Sequence, residues 1–335
     1  MYSSSSLTTS AGHSDKTGVG AEVACLKIDS SRTARSSGPS TLKHTVSTQL
    51  AGAVSTLVFY PFDTLRVRFM SQDGTAQRQH NGQTYRSVGR ALALVYREEG
   101  LSVLFRGCHV AVLGSVTAWG VYMFIYRSLC GLCSVSFADQ ACFALIASVV
   151  STILSSPIWL IKSRMQIEDA SGVRRYRTFS AGCRHVLQTT GVRSMWRGVS
   201  LQLLLVVPNA LSFPLYDRMK EALLRRRSDS TVVPVVAHNG LSVADACLCS
   251  AVTKGLLVTV SHPIMLLKVR MQDQRWNVGD VQYATVRHSL PLIIKREGVR
   301  GIVRGLVPSL MYAVPRGVAH FVLYEKLLAL LCRGS

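Results

Sequence analysis

One pattern occurs three times along this 335-residue chain, and repetition on that scale fixes most of what the chain can fold into. Its first element is a proline followed by charge. Pro61 is followed by Asp63, Arg66 and Arg68, Pro157 by Trp159, Lys162 and Arg164, and Pro263 by Met265, Lys268 and Arg270. The second element opens on Glu99-Gly100, Thr190-Gly191 and Glu297-Gly298. It closes on Phe105-Arg106-Gly107, Trp196-Arg197-Gly198 and Val303-Arg304-Gly305. The third ends each copy, at Tyr126-Arg127, Tyr216-Asp217 and Tyr324-Glu325. Three landmarks in one order, three times over, predict three copies of one structural unit.

Each unit is apolar. Uncharged stretches run over residues 44–62, 108–126, 140–161 and 198–216, near the twenty or so residues that cross a bilayer. Hydrophobic residues make up 48% of the chain, charged residues 17%, and mean hydropathy is +0.25, which excludes an ordinary soluble domain. The net charge of +20 does not imply nucleic acid, because the bases are spread over loops where an anionic lipid surface accounts for them. Nine cysteines cannot all pair, and Cys130 and Cys133 form a CxxC with no second pair or histidine to complete a metal set. No nucleophile–base pair appears either, so no catalytic residue, metal or cofactor is expected. Residues 1–43 are rich in Ser, Thr and Gly and read as a disordered tail. That tail has no apolar signal core, and Asp15, Glu22 and Asp29 argue against a cleaved presequence.

Each copy thus holds an apolar segment ending in proline and charge, a basic loop with a short helix, and a second apolar segment. The copies span 44–132, 137–225 and 242–332, and give six membrane-spanning helices. A proline inside a helix frees a carbonyl and bends the axis, which lipid tolerates only where that carbonyl faces protein or water. Pro61, Pro157 and Pro263 at matched depth predict a threefold constriction that opens and closes.

On these motifs the chain resembles the mitochondrial carrier family, whose repeat carries P-x-[DE]-x-x-[KR]-x-[KR] and, later, [DE]-G followed by an aromatic-[KR]-G. The resemblance spans about residues 44 to 332. It implies an all-α membrane protein: three tandem repeats forming a six-helix barrel with pseudo-threefold symmetry, open alternately to either side of the inner mitochondrial membrane. It implies a small-molecule substrate, and a monomer is expected. The acids and bases of the proline elements would close the matrix side: Asp63, Arg66, Lys162 and Lys268, with Trp159 and Met265 where two acids are missing. One acid among three predicts a weaker gate. On the cytoplasmic side Asp217, Lys220 and Glu325 match the charged positions, beside Tyr126, Tyr216 and Tyr324, while Arg127, Cys130 and Leu328 do not. At Arg106-Gly107 and Arg197-Gly198, free N–H groups at a helix start suit a phosphate, and the resemblance implies cardiolipin.

The copies should differ in the cavity. Lys254 lies nine residues before Pro263, too deep in an apolar helix to face lipid without cost. Tyr312, Arg316 and His320 recur every four residues and share one helix face. By register with the family, the substrate-contact positions are Gly114, Leu204 and Tyr312, with Leu205, Asn209 and Trp119 nearby. Two cations, aromatic faces and an apolar wall suit a large planar anion. Trp159 in place of an acid is similar to the carriers of folate, FAD, NAD and pyrimidine nucleotides. Arg68-Phe69, Asp73-Gly74, Trp119 to Tyr122, Lys254 and the run from Arg270 to Gln274 are similar to the folate/FAD branch, from which Tyr312 and Thr190 depart. Other readings are an NAD or pyrimidine-nucleotide carrier, a peroxisomal or plastid location, or a carrier-fold scaffold that no longer transports.

Overall fold

The computed structural model describes residues 39–75, 78–80, 82–132, 137–168, 175–228, 243–273, 275, 283 and 285–333. Within each copy the order is long helix, loop helix, long helix. The first copy has α1 (Pro39–Ser71), α2 (Val88–Glu99) and α3 (Cys108–Leu132). The second has α4 (Phe137–Ile167), α5 (Phe179–Thr190) and α6, which is broken into Val199–Leu204, Val206–Ala210 and Ser212–Ser228. The third has α7 (Val243–Gln272), α8 (Val286–Ile302) and α9 (Leu306–Arg333). Among the described residues there is no strand, only an isolated bridge between His80 and Gln83. α1 begins at Pro39, ahead of the boundary expected at residue 44; residues 1–38 of the expected tail lie outside the described residues.

The long helices form a closed ring. α1 packs on α3, α3 on α4, α4 on α6, α6 on α7, α7 on α9, and α9 returns to α1. Among the described residues four segments are long and apolar enough to cross a bilayer: Leu101–Gly131, Asp139–Ile167, Cys247–Gln272 and Leu306–Leu328. The broken α6 makes a fifth if Val192–Leu204 and Val206–Leu223, bent by 42°, are counted together. α1 is as long but less apolar, because Ser47, Thr48, Ser55 and Thr56 interrupt its first half. Ser47, Ala51 and Ser55 are buried, and a Cβ on Gly52 would come within 3.5 Å of the His320 ring on α9. Small residues on α1 thus admit α9 at close range, as helix contacts in lipid require. Val58, Phe124 and Val260 are among the most exposed apolar side chains, an exposure that acyl chains solvate without cost.

The tightest packing lies past the prolines. In each copy the end of the first long helix meets the following loop helix. Leu65 and Phe69 pack with Ala91 and Val95, Leu160 and Met165 with Val186, and Leu266 and Val269 with Ile293. The glycine closing each second element adopts positive φ, +79° at Gly107, +79° at Gly198 and +86° at Gly305. A Cβ on Gly305 would lie 3.0 Å from Met70, so both the turn and the close approach call for glycine.

The residue before each proline ties the helix to that turn. Tyr60 donates to the Arg106 carbonyl at 3.1 Å, and the His262 ring meets the Arg304 carbonyl at 3.1 Å. In the second copy this residue is Ser156, whose hydroxyl is buried with no partner. Trp196 supplies a different tie: its indole N–H donates to the Ile153 carbonyl at 3.0 Å. Ile153 lies four residues before Pro157, so this is the carbonyl that the proline leaves without a helical donor. Phe105, the equivalent aromatic in the first copy, stacks on Tyr60 with centroids 6.3 Å apart. Trp196→Phe keeps the ring and removes the donor. It should cost about 1–2 kcal/mol, the usual loss for a stranded acceptor, read as a lower thermal midpoint in detergent.

Candidate substrate cavity and gate

The proline ends of the long helices converge on one carboxylate. Asp63, fully buried on α1, accepts from Arg66 Nε at 2.7 Å, from Gln166 Nε2 at 2.9 Å and from Lys162 of α4. Lys162 also lies 5.5 Å from the Tyr60 ring centre and 5.8 Å from that of Trp159. Gln166 is a brace that the motif comparison missed. Its sequence signal is faint: it stands nine residues after Pro157, as Gln272 does after Pro263.

The second and third copies bring no acid. Met265 fills the third acid position, and its sulfur lies 4.0 Å from Arg66 Nη1. Lys268 has no acidic partner among the described residues. Three bases therefore share one acid in a setting where unpaired charge is costly. The expected grouping of Asp63, Arg66, Lys162 and Trp159 is realised geometrically, while Lys268 stands near it without a counterion.

Above this cluster, Arg66 lies 4.4 Å from the centre of the Tyr312 ring on α9, and Arg316 lies 5.3 Å from the same centre. Arg316 also donates to Thr56 Oγ1 of α1 at 3.4 Å. Tyr312, only 9% exposed, thus lies covered beside two guanidiniums rather than offering an open face. Lys254 on α7 is exposed, and a Cβ on Gly317 of α9 would meet its Cγ at 3.8 Å. The structure therefore gathers Lys254, Arg316, Tyr312 and Arg66 on the α7–α9–α1 side.

The other expected positions sit apart from that group. Gly114 does not present an open wall: it is buried, and a Cβ there would meet Ile158 at 3.2 Å and Trp159 at 3.4 Å. Trp119 packs edge-on against Tyr122 at 5.7 Å, which stacks on Tyr126 at 6.0 Å. Leu204 and Leu205 mark the first break in α6, with Asn209 just before the second. Asp217, Lys220 and Tyr216 lie half-buried on α6, and Tyr324 on α9; the Glu325 side chain lies outside the described residues. Arg106 turns inward, donating to the Glu168 carbonyl at 2.8 Å, and Gly107 beside it is buried.

Sequence comparison also undervalued the last base of each proline element. Arg68 Nε donates to the Gln166 carbonyl, Arg164 Nε to that of Gln272, and Arg270 Nε to that of Met70, at 3.0–3.1 Å. Each joins one copy to the next and donates to a tyrosine hydroxyl as well: Tyr85, Tyr176 and Tyr283. Loops of unequal length hide those tyrosines from a fixed register. Beside this ring, burial alone would raise the Asp73 carboxyl. The Thr75 hydroxyl and amide and the Arg78 charge outweigh it and hold the group below the usual carboxylate range. Its contribution to stability is therefore present above that range and lost as pH falls through the lowered value.

The family profile described as "Mitochondrial carrier protein" matches residues 37–132, 134–227 and 239–335. The chain belongs to the mitochondrial carrier family. The carrier is 28% identical over 295 residues to the chloroplastic folate transporter 1 of Arabidopsis thaliana, covering 84% of this chain and 93% of that one. It is 29% identical over 313 residues to the mitochondrial FAD carrier protein FLX1 of Saccharomyces cerevisiae, covering 85% and 96%. It is 25% identical over 303 residues to the peroxisomal membrane protein PMP34 of Mus musculus, covering 86% and 92%. The carrier is a multi-pass membrane protein, and its relatives bear the names of chloroplastic, mitochondrial and peroxisomal proteins.

Two variants test the single-acid closure. Asp63→Asn leaves buried bases without a counterion and should cost about 3–5 kcal/mol, the usual penalty for breaking a buried pair from one side. Met265→Asp restores an acid near Arg66 and should raise the thermal midpoint while slowing turnover in proteoliposomes. Unchanged stability in both would remove Asp63 from the closure.

Proposed function

We propose that this carrier moves a large planar anion of the folate or flavin-nucleotide kind across the inner mitochondrial membrane by alternating access. The observation that carries the reading is the grouping of Lys254 and Arg316 with the Tyr312 ring directly above the Asp63 closure. Two cations suit carboxylates or phosphates. Exposed aromatic surface on Trp119 and the leucines at the α6 break suit a fused ring. None of these residues is acidic, which favours an anion over a cation. The names of two relatives, one for folate and one for FAD, support the same class, since both molecules join a fused nitrogen heterocycle to an anionic end.

Asp63 with Arg66 and Lys162 closes the proline side, and Lys268 adds charge to that closure. Asp217, Lys220 and Glu325, with Tyr126, Tyr216 and Tyr324, act at the other side. Substrate shifts the balance by binding one state better than the other. Cardiolipin phosphates would meet the backbone N–H groups at Gly107 and Gly198, and the carrier works as a monomer. The mitochondrial assignment rests on the FAD relative; the chloroplastic and peroxisomal relatives mark the competing locations.

Uptake into liposomes of labelled FAD, folate, NAD and UTP tests the reading. Saturable uptake of one aromatic anion is expected, with Lys254→Ala lowering it at least about tenfold through loss of a charge-assisted contact. Undiminished uptake by that variant would sink the site. No uptake of any of them, by protein with a cooperative thermal transition, would favour a carrier-fold scaffold, with the missing acids at Trp159 and Met265 as its cause.

A further inference from the structure

The three arginines that join the copies provide an internal comparison. In the first copy Glu99 takes the outer edge of Arg68, at 2.6 and 2.9 Å. In the third, Glu297 takes the outer edge of Arg270, one contact at 3.0 Å. In the second copy the equivalent residue is Thr190. Its hydroxyl donates to the Val186 carbonyl at 3.0 Å and lies 2.7 Å from the Ser194 hydroxyl, serving its own turn.

Arg164 is left incomplete. It is 2% exposed, its Nε and Nη1 are bonded, and its Nη2 is buried with no hydrogen-bond partner. A buried guanidinium edge without an acceptor is unfavourable by the same reasoning that makes the other two copies favourable.

The surroundings offer more positive charge. Gln272, whose carbonyl takes Arg164 Nε, turns its side-chain amide to the Arg197 backbone carbonyl at 3.5 Å, and the Arg164 and Arg197 charges act on each other. The nearby acid, Glu168, is already engaged by the backbone amides of Arg175 and Tyr176. His185, packed edge-on against Tyr176 at 5.5 Å, reads the local field. Burial, then the charges of Arg175 and Arg164, hold it below the usual histidine range despite Glu168. Thr190 itself is exposed, and its hydroxyl, spent on Val186 and Ser194, makes no bond to the arginine edge that Glu99 and Glu297 cover in their copies.

We propose that the second copy binds one phosphate group between Arg164, Arg197 and Thr190, in the position occupied by a built-in carboxylate in the other two copies. The bound group completes the third joint of the ring and stabilises the closed proline end. This site uses guanidinium side chains and is separate from the backbone N–H groups at Gly107 and Gly198. The phosphate comes from solution or from a lipid headgroup, and the test separates the two.

Thr190→Glu supplies the carboxylate covalently, and Thr190→Gln supplies the same bulk without charge. Thermal midpoints are measured in phospholipid-free detergent, with inorganic phosphate raised against gluconate at constant ionic strength, and in a second arm with cardiolipin added without phosphate. The parent should gain stability with phosphate. Thr190→Glu should start higher and lose that response at least tenfold in apparent affinity; Thr190→Gln, which fills the same position without charge, should also lose it but start lower than Thr190→Glu. If only the cardiolipin response is lost in Thr190→Glu, the phosphate is a lipid's. If neither response differs between Thr190→Glu and the parent, or the parent responds to neither addition, the proposal is overturned.

Discussion

Asp63 has to satisfy two bases on two helices from a position without access to water. It accepts from Arg66 on its own helix, and from Lys162 and Gln166 on α4. In low dielectric such a pair is favourable only if every remaining lone pair is used, and here the glutamine uses one. Because α1 and α4 belong to different copies, this carboxylate determines how two copies lean together at the proline end. Arg66, which it holds, reaches on to the Tyr312 ring of α9, and Arg316 lies near the same ring.

Around that point the fold is a comparison of three nearly equal solutions. Each copy frees a helical carbonyl at its proline, joins the next copy through an arginine, and turns at a glycine with positive φ. The copies depart from one another where a side chain is changed. Trp196 donates to the freed Ile153 carbonyl, while Tyr60 and His262 tie back to the turn from the residue before the proline. Thr190 leaves Arg164 short where Glu99 and Glu297 complete their partners. Departures from threefold symmetry mark the places where this carrier differs chemically from a symmetric barrel.

Much of this was legible in one dimension because proline, charge and glycine act locally. A proline frees the carbonyl four residues back wherever it stands in a helix, so Pro61, Pro157 and Pro263 announced three equivalent walls. Arg66, Lys162 and Lys268 stand at one spacing after those prolines, and the gate role expected of them comes from the family resemblance. The cavity was less legible. Register with the family pointed to Gly114, but the helix crossing puts that glycine under Trp159 and Ile158. Tyr312 was found by the same count, yet it is sandwiched between two guanidiniums rather than left open.

The sequence by itself determined the repeat, the helical class, the membrane setting and the shortage of acids, since each depends on residue type and short-range spacing. Only the tertiary structure decided which base Asp63 reaches across the ring, that Gln166 braces it, and which arginine is left incomplete. Those outcomes depend on contacts between residues about a hundred positions apart. They are set by how three helix pairs cross and by loops of unequal length, and neither leaves a periodic trace in the chain.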